Sequence, residues 1–356
     1  MSATPAELAA ITAAWRDGNP LALATLVAVE GSSYRRPGAR LLINADSSTV
    51  GNLTGGCLDR EIVEAAATVH RTGTARVVEY DLRGDEEAVL GWGMGCNGLL
   101  RVLVEPATPS SSMLQLLDQS VRLRKKIRIT TVVAGPQTGL RCWQVDGEAP
   151  GRTLPGATPS SLDHVFTETL LPRPRVVICG AGDDVPPVVR AATGLGWDVV
   201  VVDHRRLLLD PARFPAGTTL LRTVPDLDVH SYVLVMTHNF LRDCEYIAAA
   251  LATPAPYIGV LGPNRRLRRM QQYLASYGTT PRQVETDRLR GPAGLDLGGQ
   301  GPDEIAIEIV AELLAATRRP VQPPVTAVDT SPNGEPSCAE PSCAEPSCAE
   351  LSSLCP

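Results

Sequence analysis

The 356-residue chain has no apolar run near the roughly 20 residues that a membrane-spanning helix needs. Its longest such stretches, among them "VVVV" at 199–202, stop far short. The N-terminus, "MSATPAELAAITAAW", lacks the basic, apolar and cleavable layout of an export signal. No membrane association is therefore expected, and the expected location is cytoplasmic. Excess positive charge is also missing: the formal net charge is -6. The chain as a whole thus has no electrostatic attraction for nucleic acid or anionic lipid. Nine cysteines are present, but in a reducing compartment they are expected to stay unpaired.

What remains is globular. An apolar fraction of 44% against 20% charged residues is enough to build cores, and the length exceeds what one core usually serves, so two domains are expected. The 30 prolines fall largely in a connecting stretch and in the tail. Residues 1–150 read as an α+β domain. "TPAELAAITAAWRDG" offers Thr4 as cap, Pro5 at the first helical position, Glu7 at capping-box spacing and Gly18 as the stop. "LALATLVAVEG", "ARLLINAD", "RVVEYDL" and "LLRVLVEP" then read as strands. Residues 151–173, rich in Pro, Gly and Ser, read as a linker.

Residues 174–320 follow a different grammar. "RPRVVICGAGDDVPPVVRAATGLGWDVVVVDHR" runs strand, glycine turn, helix, strand, which predicts a Rossmann-like α/β domain with a parallel sheet. Residues 321–356 end in a repeated "EPSCA" unit with almost nothing apolar to bury, and are expected to be disordered. Cys338, Cys343, Cys348 and Cys355 fall there.

Chemistry-bearing residues cluster in two places. Gly180 and Gly182 lie between a strand and a helix, and Asp203 ends the next strand, where a dinucleotide fold keeps its ribose-binding acid. The third glycine of that fingerprint is replaced by Val185, so NAD(P) in the ordinary mode is not expected. His238 is either a proton carrier and ligand contact or a histidine bonded to backbone. Arg265, with Arg266, Arg268 and Arg269 on one helix, is a candidate phosphate contact, against the alternative of an arginine-studded face that is only solvated. "GPAGLDLGGQGPDE" leads to a helix start whose free amides form an expected anion site.

The second cluster is unusual. In "LTGGCLDREIVE", Cys57 follows Gly55 and Gly56 at the mouth of a predicted helix, where the partial positive charge favours a thiolate. In "GMGCNG", Cys96 sits in a similarly bare loop. One cysteine per loop does not have the paired spacing of a zinc site; both are candidate soft ligands or sulfur contacts, against the alternative of two small cysteines in tight turns. Arg35, Arg36 and Arg40 in "EGSSYRRPGAR" are candidate anion contacts nearby.

Together "VAVEGSSYRRPGARLLI", "LTGGCLDREIVE", "GMGCNGLLRVLVEP", "ICGAGDD", "VMTHN" and "GPAGLDLGGQGPDEIAIEIVAELLA" resemble the XdhC/CoxI family of molybdenum hydroxylase maturation factors over roughly residues 5–318. A serine commonly follows the glycine where this chain has "GPNRR". The resemblance implies a non-catalytic chaperone that binds the molybdenum cofactor, a pyranopterin dithiolene, protects it while sulfur is introduced, and delivers it to a hydroxylase such as xanthine dehydrogenase. It also implies a cysteine desulfurase as sulfur source and leaves a homodimer open. The competing expectation is an NAD(P)-dependent oxidoreductase with His238 as proton carrier.

Overall fold

A computed structural model describes residues 3–83, 97–153, 164–277 and 287–318. Cys96 and the cysteine-repeat tail lie outside the described residues. Three sheets organise the rest, and the described residues form one compact unit.

Helix α1 (Pro5–Asp17) starts as its sequence predicts. The Thr4 hydroxyl accepts from the Glu7 amide, and the Glu7 carboxylate accepts from the Thr4 amide at 2.7 Å. The chain then builds a five-stranded antiparallel sheet from β1 (Pro20–Gly31), β2 (Arg40–Asn44), β3 (Thr49–Gly51), β4 (Arg76–Asp81) and β5 (Gly98–Pro106), in the order β3-β2-β1-β5-β4. Alternation along β1 explains its central place. Ala22, Ala24 and Leu26 pack on α2 (Asp59–Thr72), whose Ile62, Ala66 and Val69 recur at helical spacing on one face. Leu23 points the other way, into a core shared with α1 and α3 (Ser112–Arg122).

That other core is closed by a second antiparallel sheet: β6 (Ile127–Val132), β7 (Arg141–Val145), β8 (Gly151–Arg152) and β9 (Val165–Leu170), ordered β8-β7-β6-β9. The stretch expected to be a linker therefore carries two strands. β9 pairs with β6 along its whole length and buries Glu168 and Leu170. Two ion pairs sealed between the sheets join them: Arg40 of β2 to Glu168 of β9, and Arg141 of β7 to Glu105 of β5. All four side chains are at most 9% exposed.

The third sheet is parallel throughout, built from β10 (Arg175–Cys179), β11 (Asp198–Val202), β12 (Thr219–Leu221), β13 (Ser231–Val235), β14 (Tyr257–Val260) and β15 (Leu289–Arg290), in the order β12-β11-β10-β13-β14-β15. Helices α4 (Val185–Gly194) and α7 (Pro302–Arg318) cover one face; α5 (Phe240–Leu251) and α6 (Asn264–Ser276) cover the other. This is the expected Rossmann domain. The strands read as unbroken apolar runs because both faces are buried.

The N-terminal elements meet the foot of this domain, and two contacts there stand out. The Arg124 guanidinium donates to both carboxylate oxygens of Asp228, at 2.7 and 2.8 Å, and to the Arg173 carbonyl. Gly196, at φ +75°, lies so close to the start of α1 that a Cβ there would be 2.4 Å from the Ala6 nitrogen. No helix among the described residues is long and apolar enough to cross a membrane.

Candidate functional site

The parallel sheet reverses its winding between β10 and β13, and ligands of such folds bind beyond the carboxyl ends of the strands at that switch. β10 runs out into Gly180, whose φ is +128°. A Cβ at Gly180 would lie 2.5 Å from the Met236 carbonyl oxygen, so only glycine lets the two strand ends come this close. The next glycine, Gly182, has the Asp184 carboxylate over it, with a would-be Cβ 2.7 Å from Oδ1.

Asp203, at the end of β11, stands where expected but is already committed. It is 1% exposed. Its Oδ2 accepts from the Ala181 amide at 2.9 Å and from Arg205 Nη2 at 2.8 Å; its Oδ1 accepts from the Arg205 amide and from Nε. The residue at the position where a dinucleotide fold keeps its ribose-binding acid here clamps the glycine turn. Arg213 grips the same turn from outside, donating to the carbonyls of Ala181 and Gly182 and to the Asp183 carboxylate.

Beyond β13 the backbone of His238 turns left-handed, at φ +60°. Such a conformation in a non-glycine residue is uncommon outside turns and functional sites. It brings His238 Nε2 to 2.8 Å from Asp184 Oδ2, so the imidazole bridges the two loops of the switch while remaining 58% exposed. Behind it the fully buried Asp243 accepts from the Thr237 amide and hydroxyl and from Arg266 Nη2 at 2.7 Å. Of the two readings of His238, a side-chain partner rather than a backbone one is what the fold provides.

One strand further along, Gly262 at φ +115° leads into α6, whose N-terminus has no side-chain cap. Arg265 stands exposed in its first turn, and its side chain has no hydrogen bond or ion pair among the described residues. The crevice therefore offers an uncapped helix start and a free guanidinium. Leu207, Leu241, Leu295 and Leu297, on the loops and helix starts that follow the strand ends, are exposed.

The loop that leads to the other expected anion site is already committed. In the glycine loop before α7 the Gly294, Leu297, Gly299 and Gln300 amides already donate to Glu312, Glu308, Glu308 and Glu304. Three carboxylates stacked at four-residue spacing on α7 staple the loop down and repel an anion.

Cys57 sits half-buried just ahead of α2. Gly55 and Gly56 both have positive φ, at +76° and +99°. The Asn52 carboxamide accepts from the Gly55 amide, and the Thr54 hydroxyl accepts from the Leu58 amide. The Tyr34 ring lies against Gly55, whereas a Cβ on Gly56 would have no heavy atom within 4 Å. Among the described residues, space is thus left beside Gly56, the neighbour of Cys57. Of the other described cysteines, Cys179 and Cys244 are buried, and burial pushes both thiols up, Cys244 to about 11. They are inert beside Cys57.

The three expected arginines part company. Arg35 forms a double ion pair with Glu7 at 2.6 and 2.8 Å. Arg40 is sealed in the core with Glu168. Arg36 alone is exposed and unpaired among the described residues. Arg35 and Arg40 thus hold the fold together instead of forming an anion pocket. The structure gathers Gly180, Gly182, Asp203 and His238 at the switch, with Arg265 on the next turn, and sets Gly55, Gly56 and Cys57 together on the first sheet. No hydrogen bond or ion pair among the described residues links these two groups. Arg213 went unnoticed in the sequence; Asp184 and Asp243 could be placed at the strand ends, beside the glycine turn and after His238, but their partners could not.

Burial alone would raise the carboxyl pKa of Asp203, yet its bonds to Arg205 and the Ala181 amide outweigh that and hold it below the usual range. The same balance holds for Asp228 with Arg124 and for Glu7 with Arg35. A carboxyl whose folded value is depressed stabilises the fold fully above its unfolded value and loses that contribution as pH falls through the folded one. Urea midpoints are therefore expected to drop from about pH 4 downward, with a shallower acid slope in Asp203→Asn. An unchanged slope would remove Asp203 as a clamp.

A family model described as the XdhC Rossmann domain matches residues 176–313, and one described as the XdhC and CoxI family matches residues 14–81. A Bacillus subtilis protein described as a probable subunit of xanthine dehydrogenase is 27% identical over 332 residues, covering 85% of this chain and 95% of that protein. The molybdenum cofactor insertion chaperone PaoD of Escherichia coli is 24% identical over 300 residues, with 83% of each covered. A crystal structure from Bacillus halodurans, described as that of a xanthine dehydrogenase, superposes with a TM-score of 0.74 at 29% identity, covering 91% of this chain and 98% of that one.

Proposed function

Since the chain belongs to the XdhC and CoxI family, we propose that it is a maturation factor that holds the molybdenum cofactor and passes it to a hydroxylase of the xanthine dehydrogenase type. The observation that carries this reading is Asp203. Its carboxylate is spent on the protein's own glycine turn, so the crevice is not furnished for the ribose of a nicotinamide dinucleotide. It keeps the exposed His238, the uncapped start of α6 and the unpaired Arg265.

Those groups fit an anionic pterin. Arg265 and the α6 amides would hold its phosphate. His238, held by Asp184, would be a hydrogen-bonding partner for the ring. Cys57, on its paired glycines, is a soft ligand suited to molybdenum or its sulfur. The cofactor supplies redox chemistry only in the recipient enzyme; here the residues bind, shield and release it. Protection during sulfuration, a cysteine desulfurase as donor and a homodimeric carrier are finer parts of the same proposal, set in the cytoplasm.

The test uses cofactor released anaerobically from a purified molybdenum hydroxylase, mixed with the full chain and separated by gel filtration. Molybdenum and pterin are expected to travel with the protein at about one per chain, with retention at least tenfold lower in Cys57→Ala. Failure of the wild type to retain either, or tight binding of NAD(H) in their place, would overturn the proposal.

A further inference from the structure

At the opposite end of the parallel sheet from the switch, the structure contains a second cavity, of about 210 Å³. It lies where the start of α1, the end of α3 and the segment after β9 meet the amino ends of the strands and the last turn of α7. Nothing in the proposed carrier role uses it. Its walls are largely apolar, with Trp197, Tyr232 and Leu314 among them.

Three polar groups in these walls lack partners. Tyr232 is 4% exposed and Trp197 is 5% exposed, yet neither the phenol hydroxyl nor the indole N–H makes a hydrogen bond among the described residues; nor does the His230 ring. Buried tyrosine and tryptophan normally find such partners. Neither polar atom is sealed in the packing; both are left open in the wall of a space with room for a small ring system, where a bound molecule would supply their partners.

Charge indicates its class. No aspartate or glutamate lines the cavity, whereas Arg173 and Arg318 do, and neither guanidinium has an ion pair among the described residues. We propose that this cavity binds a small amphipathic carboxylate, its flat apolar body against Trp197 and Leu314 and its charge held by the two arginines with help from the Tyr232 hydroxyl. Apolar walls with a few convergent polar groups are the usual make-up of a small-molecule pocket. The site is independent of the crevice, and its walls come from both halves of the chain. Its ligand would therefore stabilise the whole unit against unfolding.

The probe is 2-naphthoate, titrated calorimetrically into the full chain, with neutral 2-naphthalenemethanol as comparison. One saturable site is expected, with the alcohol bound about tenfold more weakly than the acid. Arg318→Gln and Tyr232→Phe should each weaken the acid about tenfold, and Arg318→Gln should leave the alcohol unchanged. Leu314→Trp should fill the cavity and abolish both. Two results would overturn the proposal: no saturable binding by the wild type, or binding of the acid that these substitutions leave unaltered. A site blocked by Leu314→Trp but indifferent to Arg318→Gln, Arg173→Gln and Tyr232→Phe would equally overturn the carboxylate assignment. Circular dichroism of each variant verifies the fold.

Discussion

Arg40→Ala is expected to cost about 3–5 kcal/mol of stability, the range for removing one partner of a buried ion pair. The Arg40 side chain is fully buried, and it holds Glu168 across the gap between the first two sheets while also donating to the Gly38 carbonyl at 2.9 Å. Without it the Glu168 carboxylate stays in the core uncompensated, with an Oε2 that already has no partner. The second pair, Arg141 with Glu105, carries the same liability, since each of its members likewise keeps an unpartnered atom. The double variant Arg40→Met, Glu168→Leu should recover most of the loss, because a buried pair replaced by apolar groups of similar volume is often neutral. Urea denaturation of the three proteins measures this. A loss below about 1 kcal/mol in Arg40→Ala would mean that water solvates the seam.

The second large effect is expected at Gly180. An alanine there would take a backbone conformation that side chains rarely adopt, with its Cβ 2.5 Å from the Met236 carbonyl and 3.0 Å from the Thr237 amide nitrogen. Both are main-chain atoms of the neighbouring strand's exit, so relief requires parting β10 from β13. The expected cost is about 3 kcal/mol or more, with loss of cofactor retention because His238 sits directly after that exit. Gly182→Ala meets only a carboxylate that can rotate. It should cost far less stability while breaking the Asp184–His238 pair. Thermal midpoints beside cofactor retention distinguish the two; equal midpoints in both variants would refute the packing argument.

The Rossmann half was legible because its information is local. An apolar run, a glycine turn and an amphipathic helix recur within 30 residues, and the capping box of α1 is equally self-contained. The second sheet was not legible. β9, "VFTETL", is six residues long and carries a glutamate on its buried face, so it reads as polar connection; what makes it a strand is Arg40, 128 residues away. The same distance effect hid the fate of the arginines, since nothing near Arg35 announces Glu7 and nothing near Arg40 announces Glu168. Asp203 shows the reverse case: its position could be read, but its use could not. That use depends on Arg205 turning back onto it, and a side-chain rotamer leaves no mark on residue spacing. Likewise the loop before α7 read as a bare anion trap until the glutamates of the helix proved to be folded over it.

β9 hands the chain to β10 through Leu171, Pro172, Arg173 and Pro174 alone. Two proline rings fix φ within that bridge and press the residue before each toward extended geometry. With the Arg124–Asp228 clasp beside it, this tether resists swinging the antiparallel half as a lobe about a hinge. Whatever shape change the molecule undergoes is then left to the segments at the strand tips, where Leu207, Leu241 and Leu297 stand exposed.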